Sequence, residues 1–169
     1  MRRATSHTFL ATQVGQLLLV SRDGLLARIE FERGRHAHGV PAGSLRDDAG
    51  FDPIAAQISE YLAGERQGFD VPMDPGGTAF QREVWSALRR IPYGTTCSYS
   101  DIARQIGRPA AVRAVGAANG LNPLPIVIPC HRVVGKNGGL TGFGGGLATK
   151  RWLLELEGAL GQETPRLAL

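Results

Sequence analysis

Cysteine is nearly absent: Cys97 and Cys130 are the only two in 169 residues. Two thiols are too few for a disulfide framework or a cysteine-based structural zinc site, and in a reducing compartment both are expected to be free. Histidine does not make up the shortfall. His36 and His38 form a lone HxH in a polar loop, His7 lies near the terminus and His131 adjoins Cys130, so no metal site is expected. Long apolar runs are missing as well; none reaches the roughly 18–20 residues that a bilayer span requires. The basic start Met1-Arg2-Arg3 is not followed by a signal-peptide core, because the apolar run at residues 17–20 is too short. The chain is expected to be cytoplasmic, with no membrane partner. No Gly-rich phosphate loop or dinucleotide fingerprint occurs, so no cofactor is implied. Repeats and low-complexity tracts are also lacking.

What is present fits one or two small folded domains: 43% of the residues are hydrophobic, an ordinary share for a folded soluble chain. Charge is distributed unevenly. Residues 1–76 hold eight Arg against ten acidic residues, a net of −2, whereas residues 77–161 hold ten basic against four acidic residues, a net of +6. A basic C-terminal half suits contact with a polyanion, although solvated surface charge gives the same count.

The first 76 residues read as an N-terminal supporting domain rich in strands. Short apolar stretches at 16–20 and 25–31 flank Ser21-Arg22-Asp23-Gly24, and Asp-Gly in that position predicts a hairpin. A polar loop follows, then a helix over 53–63 with Ile54, Ile58, Tyr61 and Leu62 as its apolar stripe. The Pro- and Gly-punctuated stretch 71–77 reads as a linker. Residues 77–161 form the second domain, and 162–169 a tail. In the second domain Thr78-Ala79-Phe80-Gln81 fits a capping box for a helix carrying Phe80, Val84, Trp85 and Leu88. Ser98-Tyr99-Ser100-Asp101 caps another helix, stopped at Gly107. Pro109 suits the first turn of a third helix that runs to Gly120. Two short helices separated by Gly107-Arg108 make a helix-turn-helix pattern. The third helix is lined with small residues (Ala110, Ala111, Ala114, Gly116, Ala117, Ala118), with Arg113 its one long side chain. Such a surface admits a close neighbour, either another helix or a nucleic acid backbone.

Chemistry concentrates at Ile126-Val127-Ile128-Pro129-Cys130-His131-Arg132-Val133-Val134. A strand-like apolar run ends at Pro129, with Cys and His directly after it. A thiol reacts as its thiolate, and with a reference pKa of about 8.5 it needs help from a nearby base. A Cys-His pair alone is equally compatible with a buried, packing cysteine. Neighbouring residues on a strand point to opposite faces, so Pro129 must mark a turn, or a water must bridge the two side chains.

The string Ile128-Pro129-Cys130-His131-Arg132-Val133 closely resembles the active-site motif of O6-alkylguanine-DNA alkyltransferases (methylated-DNA–protein-cysteine methyltransferases). Further segments resemble that family in order and at its spacing. These are Ile91-Pro92-Tyr93-Gly94-Thr95-Thr96 with Ser98-Tyr99, Arg113-Ala114-Val115-Gly116, Asn119-Gly120-Leu121-Asn122-Pro123, residues 140–147, and Lys150-Arg151-Trp152 through Gly158. The close resemblance covers residues 78–158, and the N-terminal part matches more loosely.

The resemblance implies an α+β protein: an N-terminal strand-rich, ribonuclease H-like domain, and a C-terminal helical domain with a helix-turn-helix/winged-helix DNA-binding motif. It implies a nucleophilic Cys130 that takes an alkyl group from O6 of guanine and keeps it. His131 would act as its base through a water, Glu157 would orient His131, and Asn122 would tie together the segments near the cysteine. Glu157 could otherwise be a surface glutamate, but on a helix it falls between Leu153 and Leu154, where an unpaired charge is costly. Asn122 could also be a simple turn residue before Pro123. Tyr99 would donate to the purine N3, Gly144 would offer its N–H near O6, and the Cys130 and Val133 carbonyls would accept from the exocyclic amine. Pro125 and Phe143 would wall the pocket; ordinary core packing is their alternative. The family usually has tyrosine at the position of Phe143, so a phenolic hydroxyl is lost here. Gly144 stands where some relatives carry serine.

By the same resemblance the third helix enters the minor groove, unlike most helix-turn-helix proteins. Thr95, Ala111, Ala114 and Gly116 would then meet double-stranded DNA, and Arg113 would fill the gap left by a flipped nucleotide. The implied protein is a monomer needing no obligatory protein partner, and Cys97 is structural or incidental. Two other classes compete: a DNA-binding module without chemistry and a Cys-His hydrolase. The cysteine at position 130 argues against the sensors that resemble this fold but lack it. Nothing in the sequence points to an acyl substrate.

Overall fold

A computed structural model describes residues 4–160; the 162–169 tail lies outside them. Short apolar stretches and tight turns build a meander of β1 (Thr5–Thr12), β2 (Gly15–Arg22) and β3 (Leu25–Phe31). The Asp23-Gly24 turn closes the β2–β3 hairpin with φ of 52° and 79°. Positive φ at both central residues matches the right-handed twist of the flanking strands, and Asp-Gly tolerates it. The short β4 (Leu45–Arg46) returns parallel to β1, giving the order β3-β2-β1-β4.

Helix α1 (Asp52–Leu62) starts with a Pro in its first turn, where a missing N–H costs nothing, and buries Ile54, Ile58, Tyr61 and Leu62. Its stripe packs into a core containing Leu17, Leu19, Leu26 and Ile29 from the sheet. That same core continues without a break to Val84, Trp85, Ile102, Val115, Ile128 and Leu153. The two halves of the chain therefore meet through apolar surface. The stretch around Pro72 is pinned rather than loose, since Leu26 N donates to Pro72 O at 2.9 Å and Asp74 N to Leu26 O at 2.9 Å.

The second half opens with α2 (Ala79–Leu88), whose Thr78–Gln81 capping box is present in both directions (3.1 and 2.9 Å). β5 (Cys97–Ser98) leads into α3 (Tyr99–Gln105), capped by Ser98 and Asp101 in the same reciprocal manner. Helix α4 (Val112–Gly120) packs on α2 and α3, and Trp85 Nε1 donates to Ala118 O at 2.8 Å. β6 (Val133–Val134) pairs parallel with β5, and α5 (Leu147–Leu156) closes the fold. Among the described residues no helix is long and apolar enough to cross a membrane.

Two expectations need correction. Pro109 does not open α4, and the turn between α3 and α4 is longer than Gly107-Arg108. Gly107, at φ 73°, and the bond from Arg108 N to Ala103 O (2.9 Å) seal the end of α3. A further turn, Ala111 N to Arg108 O at 2.9 Å, then precedes Val112. Residues 126–128 are not a strand either. Ile126 adopts φ 75°, and Ile128 N bonds back to Leu124 O at 2.8 Å. The apolar run is instead a buried, folded-back loop.

Candidate active site

Pro129 solves the orientation problem posed by adjacent Cys and His. With φ −81° and ψ 62° it forms the centre of an inverse γ-turn, in which Cys130 N donates to Ile128 O at 2.8 Å. Cys130, His131 and Arg132 then make one turn of 3-10 helix. With three residues per turn, successive side chains diverge by about 120°. Cys130 lines a cavity of about 610 Å³, while His131 and Arg132 turn toward Glu157.

Glu157, at the C-cap of α5, collects donors from three directions. His131 Nε2 lies 2.8 Å from Oε1, and Arg132 reaches the carboxylate with Nε at 2.9 Å and Nη2 at 2.8 Å. The Tyr61 hydroxyl donates to Oε1 as well. Burial alone would raise the Glu157 pKa, but the His131 and Arg132 hydrogen bonds and charges win and hold it at about 2. An anionic Glu157 fixes the proton of His131 on Nε2. His131 Nδ1, fully buried, is left with no hydrogen-bond partner among the described residues. The imidazole thus has a bare lone pair, and burial, outweighing the neighbouring carboxylate, pushes its pKa below the usual value. A neutral imidazole with a free acceptor has the form that general-base chemistry requires.

Burial pushes the Cys130 thiol up, while the Asn122 side chain and the Lys150 charge pull it back down. The resting sulfur is therefore protonated and becomes a nucleophile when its proton is drawn off. Asn122 also clamps the preceding loop. Its Nδ2 donates to Ile128 O at 2.8 Å, and its Oδ1 accepts from Leu124 N at 3.0 Å. Lys150, fully buried on α5, donates to Val133 O (2.6 Å) and Thr141 O (2.7 Å). Burial draws its pKa down to about 8, against the pull of Cys130. Cys97 is a different kind of thiol, lying fully buried in β5 with its pKa pushed up to about 12 by burial and by Asp101.

The cavity above Cys130 is walled by Tyr99, Pro125, Phe143 and Gly144, with Arg113, Gly116 and Asn122 also on its lining. Phe143 packs edge-on against Phe31 of β3, with ring centroids 5.5 Å apart. Tyr99 shares a hydrogen bond with the Thr141 hydroxyl at 2.9 Å. Val133 does not reach the cavity: it is fully buried and its carbonyl accepts from Lys150. Thr95, whose hydroxyl donates to Pro92 O at 2.8 Å, lies away from it, as do Ala111 and the exposed Ala114. Among the described residues no cluster of metal-ligating side chains exists.

Two family models match the chain. The ribonuclease-like domain of 6-O-methylguanine DNA methyltransferase matches residues 6–75, and the DNA binding domain of 6-O-methylguanine DNA methyltransferase matches residues 79–159. The chain belongs to the 6-O-methylguanine DNA methyltransferase family. A methylated-DNA–protein-cysteine methyltransferase of Methanosarcina acetivorans is 43% identical over 153 residues, covering 90% of this chain and 98% of that protein. The inducible methylated-DNA–protein-cysteine methyltransferase of Bacillus subtilis is 58% identical over 117 residues, covering 68% of this chain and 65% of that one. The crystal structure of Mycobacterium tuberculosis OGT in complex with DNA superimposes with a TM-score of 0.85 at 44% identity, covering 91% of this chain and 93% of that chain.

Within this methyltransferase fold several contributors to the site escape sequence inspection. Tyr61 reads only as part of the apolar stripe of α1, yet its hydroxyl touches Glu157. Arg132 and Lys150 sit inside the motifs without an evident task. Asn119 lines the cavity with a buried Oδ1 that has no partner among the described residues. The N-terminal half also supplies cavity wall: Phe31, Gly34 and Arg35 line it, Arg35 N donates to Gly144 O at 3.1 Å, and Ile29 N donates to Pro123 O at 2.8 Å.

Proposed function

We propose that this methyltransferase repairs double-stranded DNA by moving an alkyl group from guanine O6 to Sγ of Cys130, once per molecule. The observation that carries this reading is a cavity-facing thiol beside an imidazole whose Nε2 is held by a carboxylate and whose Nδ1 is bare. His131 Nδ1 takes the thiol proton through a water. The sulfur lone pair attacks the alkyl carbon, the carbon–O6 bond breaks, and its electron pair passes into the purine. A hydrogen bond from Tyr99 to N3 and one from the Gly144 N–H to O6 spread that charge, and return of one proton leaves neutral guanine. The Cys130 carbonyl accepts from the exocyclic amine. Carbon–sulfur bond formation has no built-in reversal, so each molecule acts once. The reaction needs no cofactor, and the protein acts as a cytoplasmic monomer.

The test is intact-protein and peptide mass spectrometry after mixing with an oligonucleotide containing O6-methylguanine. One added methylene per chain is expected, confined to the peptide that bears Cys130. Turnover beyond one equivalent, or a Cys130→Ser variant that still demethylates the DNA, would overturn the reading.

Reaching O6 requires extrusion of the nucleotide from the stack. Arg113 projects, exposed, from α4 at the cavity lining and is suited to hold the vacated space. Unstacking costs a few kcal/mol, so Arg113→Ala is expected to slow repair of duplex DNA by roughly a hundredfold. Reaction with free O6-benzylguanine, which needs no extrusion, should change by less than about twofold. Equal slowing in the two assays would remove this role.

A further inference from the structure

The N-terminal half reads in sequence as a support without chemistry, but one of its side chains enters the proton-transfer assembly. Tyr61 projects from α1 and is fully buried. Its hydroxyl donates to Glu157 Oε1, the same oxygen that takes the His131 Nε2 proton, and its oxygen lies 3.3 Å from Nε2. We propose that Tyr61 is a positioning residue for alkyl transfer, a hydroxyl from the N-terminal half that sets the proton affinity of His131 by acting on Glu157. The inference rests on the reading of Cys130, His131 and Glu157 given above.

The direction of each hydrogen bond follows from charge. Glu157 is ionised and can only accept. Tyr61 stays protonated, because burial and the adjacent carboxylate both drive its pKa upward. The phenol proton therefore points at Glu157, and the lone pairs of the phenol oxygen remain for Nε2–H. Both atoms facing Nε2 then want a proton donor, which locks the tautomer that leaves Nδ1 bare. The other groups around the pair are Arg132, which shares Glu157, Tyr93, whose ring lies 5.6 Å from the Arg132 guanidinium, Lys150 on α5, and Cys130 itself. Of these, Arg132 also donates to Oε1, from Nη2 at 2.8 Å, and does so with or without the hydroxyl.

Two consequences of losing the hydroxyl oppose each other. Without its donor, Oε1 is a stronger acceptor and stabilises the imidazolium. Without the phenol oxygen, the imidazolium loses a long 3.3 Å contact. Charge-assisted bonds at normal or shorter distance are the stronger kind, so the first effect prevails and His131 becomes more basic.

The experiment is the rate of alkyl transfer from free O6-benzylguanine to Cys130 between roughly pH 5 and 9, across the range where imidazole titrates. Tyr61→Phe keeps the ring packing against Phe69 and Tyr93. Its acidic limb is expected to move up by about one pH unit, a tenfold change in proton affinity, with the alkaline plateau within about twofold of wild type. A profile that superimposes on the wild type, or a plateau that falls while the limb stays put, overturns the proposal, because packing alone would give those results. Should Tyr61→Phe fail to fold, 3-fluorotyrosine placed at position 61 alone strengthens the donor and is expected to move the limb the other way, to lower pH; an unmoved limb overturns the proposal there too. Cys130→Ser in the same assay separates the two readings. If it still transfers, the active-site reading fails; if it is inert and the Tyr61→Phe limb is unmoved, only the role of Tyr61 fails.

Discussion

Glu157→Gln is expected to lower folding stability at neutral pH by about 3–5 kcal/mol, the range seen when one partner of a buried ion pair is removed. The Arg132 side chain, 8% exposed, would be left without a counter-charge, held by its remaining bond from Nη1 to Ile91 O (2.7 Å). A second route gives the same order of magnitude. Glu157 titrates at about 2 in the folded chain against an ordinary 4.5, a difference equivalent to about 3 kcal/mol. The sign is that of a depressed carboxylate. Its contribution is complete above the ordinary carboxylate range and disappears as pH falls from about 4.5 toward 2. Thermal melts followed by circular dichroism should therefore place the variant roughly 10 °C below the wild type at pH 7, with the gap closing in acid. Alkyl transfer should fall at least about a hundredfold, since an amide no longer dictates which imidazole nitrogen is bare; removing the orienting carboxylate of a serine protease triad costs even more. A variant melting within about 2 °C of wild type at pH 7 would show that Arg132 and His131 do not depend on this charge.

The parts of the fold readable in sequence are those encoded locally. Asp23-Gly24 requires positive φ, Thr78 with Gln81 and Ser98 with Asp101 carry complete capping chemistry, and the stripe of α1 repeats at helical spacing. Each is confirmed in the structure. Residues 126–128 mislead for the opposite reason. Three β-branched residues favour a strand, but the loop is set by a side chain outside the run, Asn122, which bonds Leu124 N and Ile128 O and holds Ile126 in a conformation β-branched residues avoid. At the site, Glu157 is legible because a carboxylate on an apolar helix edge demands a partner. Tyr61 is not, because a buried tyrosine on an amphipathic helix looks the same whether its hydroxyl is idle or bonded. Its partner lies 96 residues away, and no local pattern encodes that distance. Lys150 is hidden similarly: its partners are the carbonyls of Val133 and Thr141, and a carbonyl leaves no mark on residue type.

Asn122 does two things that a pair of substitutions can separate. As a clamp, it satisfies a buried N–H and a buried C=O; Leu124 and Ile128 are 0% and 1% exposed. Its loss strands the Leu124 N–H, while Ile128 O keeps the Cys130 N–H as donor at 2.8 Å, and should cost roughly 1–3 kcal/mol for the unsatisfied group. Release of the backbone strain at Ile126, φ 75°, offsets part of that cost. As a polar neighbour, the amide also lowers the thiol pKa of Cys130 against the effect of burial. Asn122→Ala removes both functions. Asn122→Asp keeps an acceptor for Leu124 N but sets a negative charge near the sulfur, which opposes formation of the thiolate. The expected stability order is wild type, then Asn122→Asp, then Asn122→Ala. For alkyl transfer at neutral pH the two variants exchange places: Asn122→Ala is slowed by roughly tenfold to a hundredfold, and Asn122→Asp further, with partial recovery as pH rises through the thiol range. Melting curves and single-turnover rates on the same preparations decide the matter. If the two orders coincide, Asn122 acts as a clamp alone, and the sulfur owes its ionisation to His131 and Lys150.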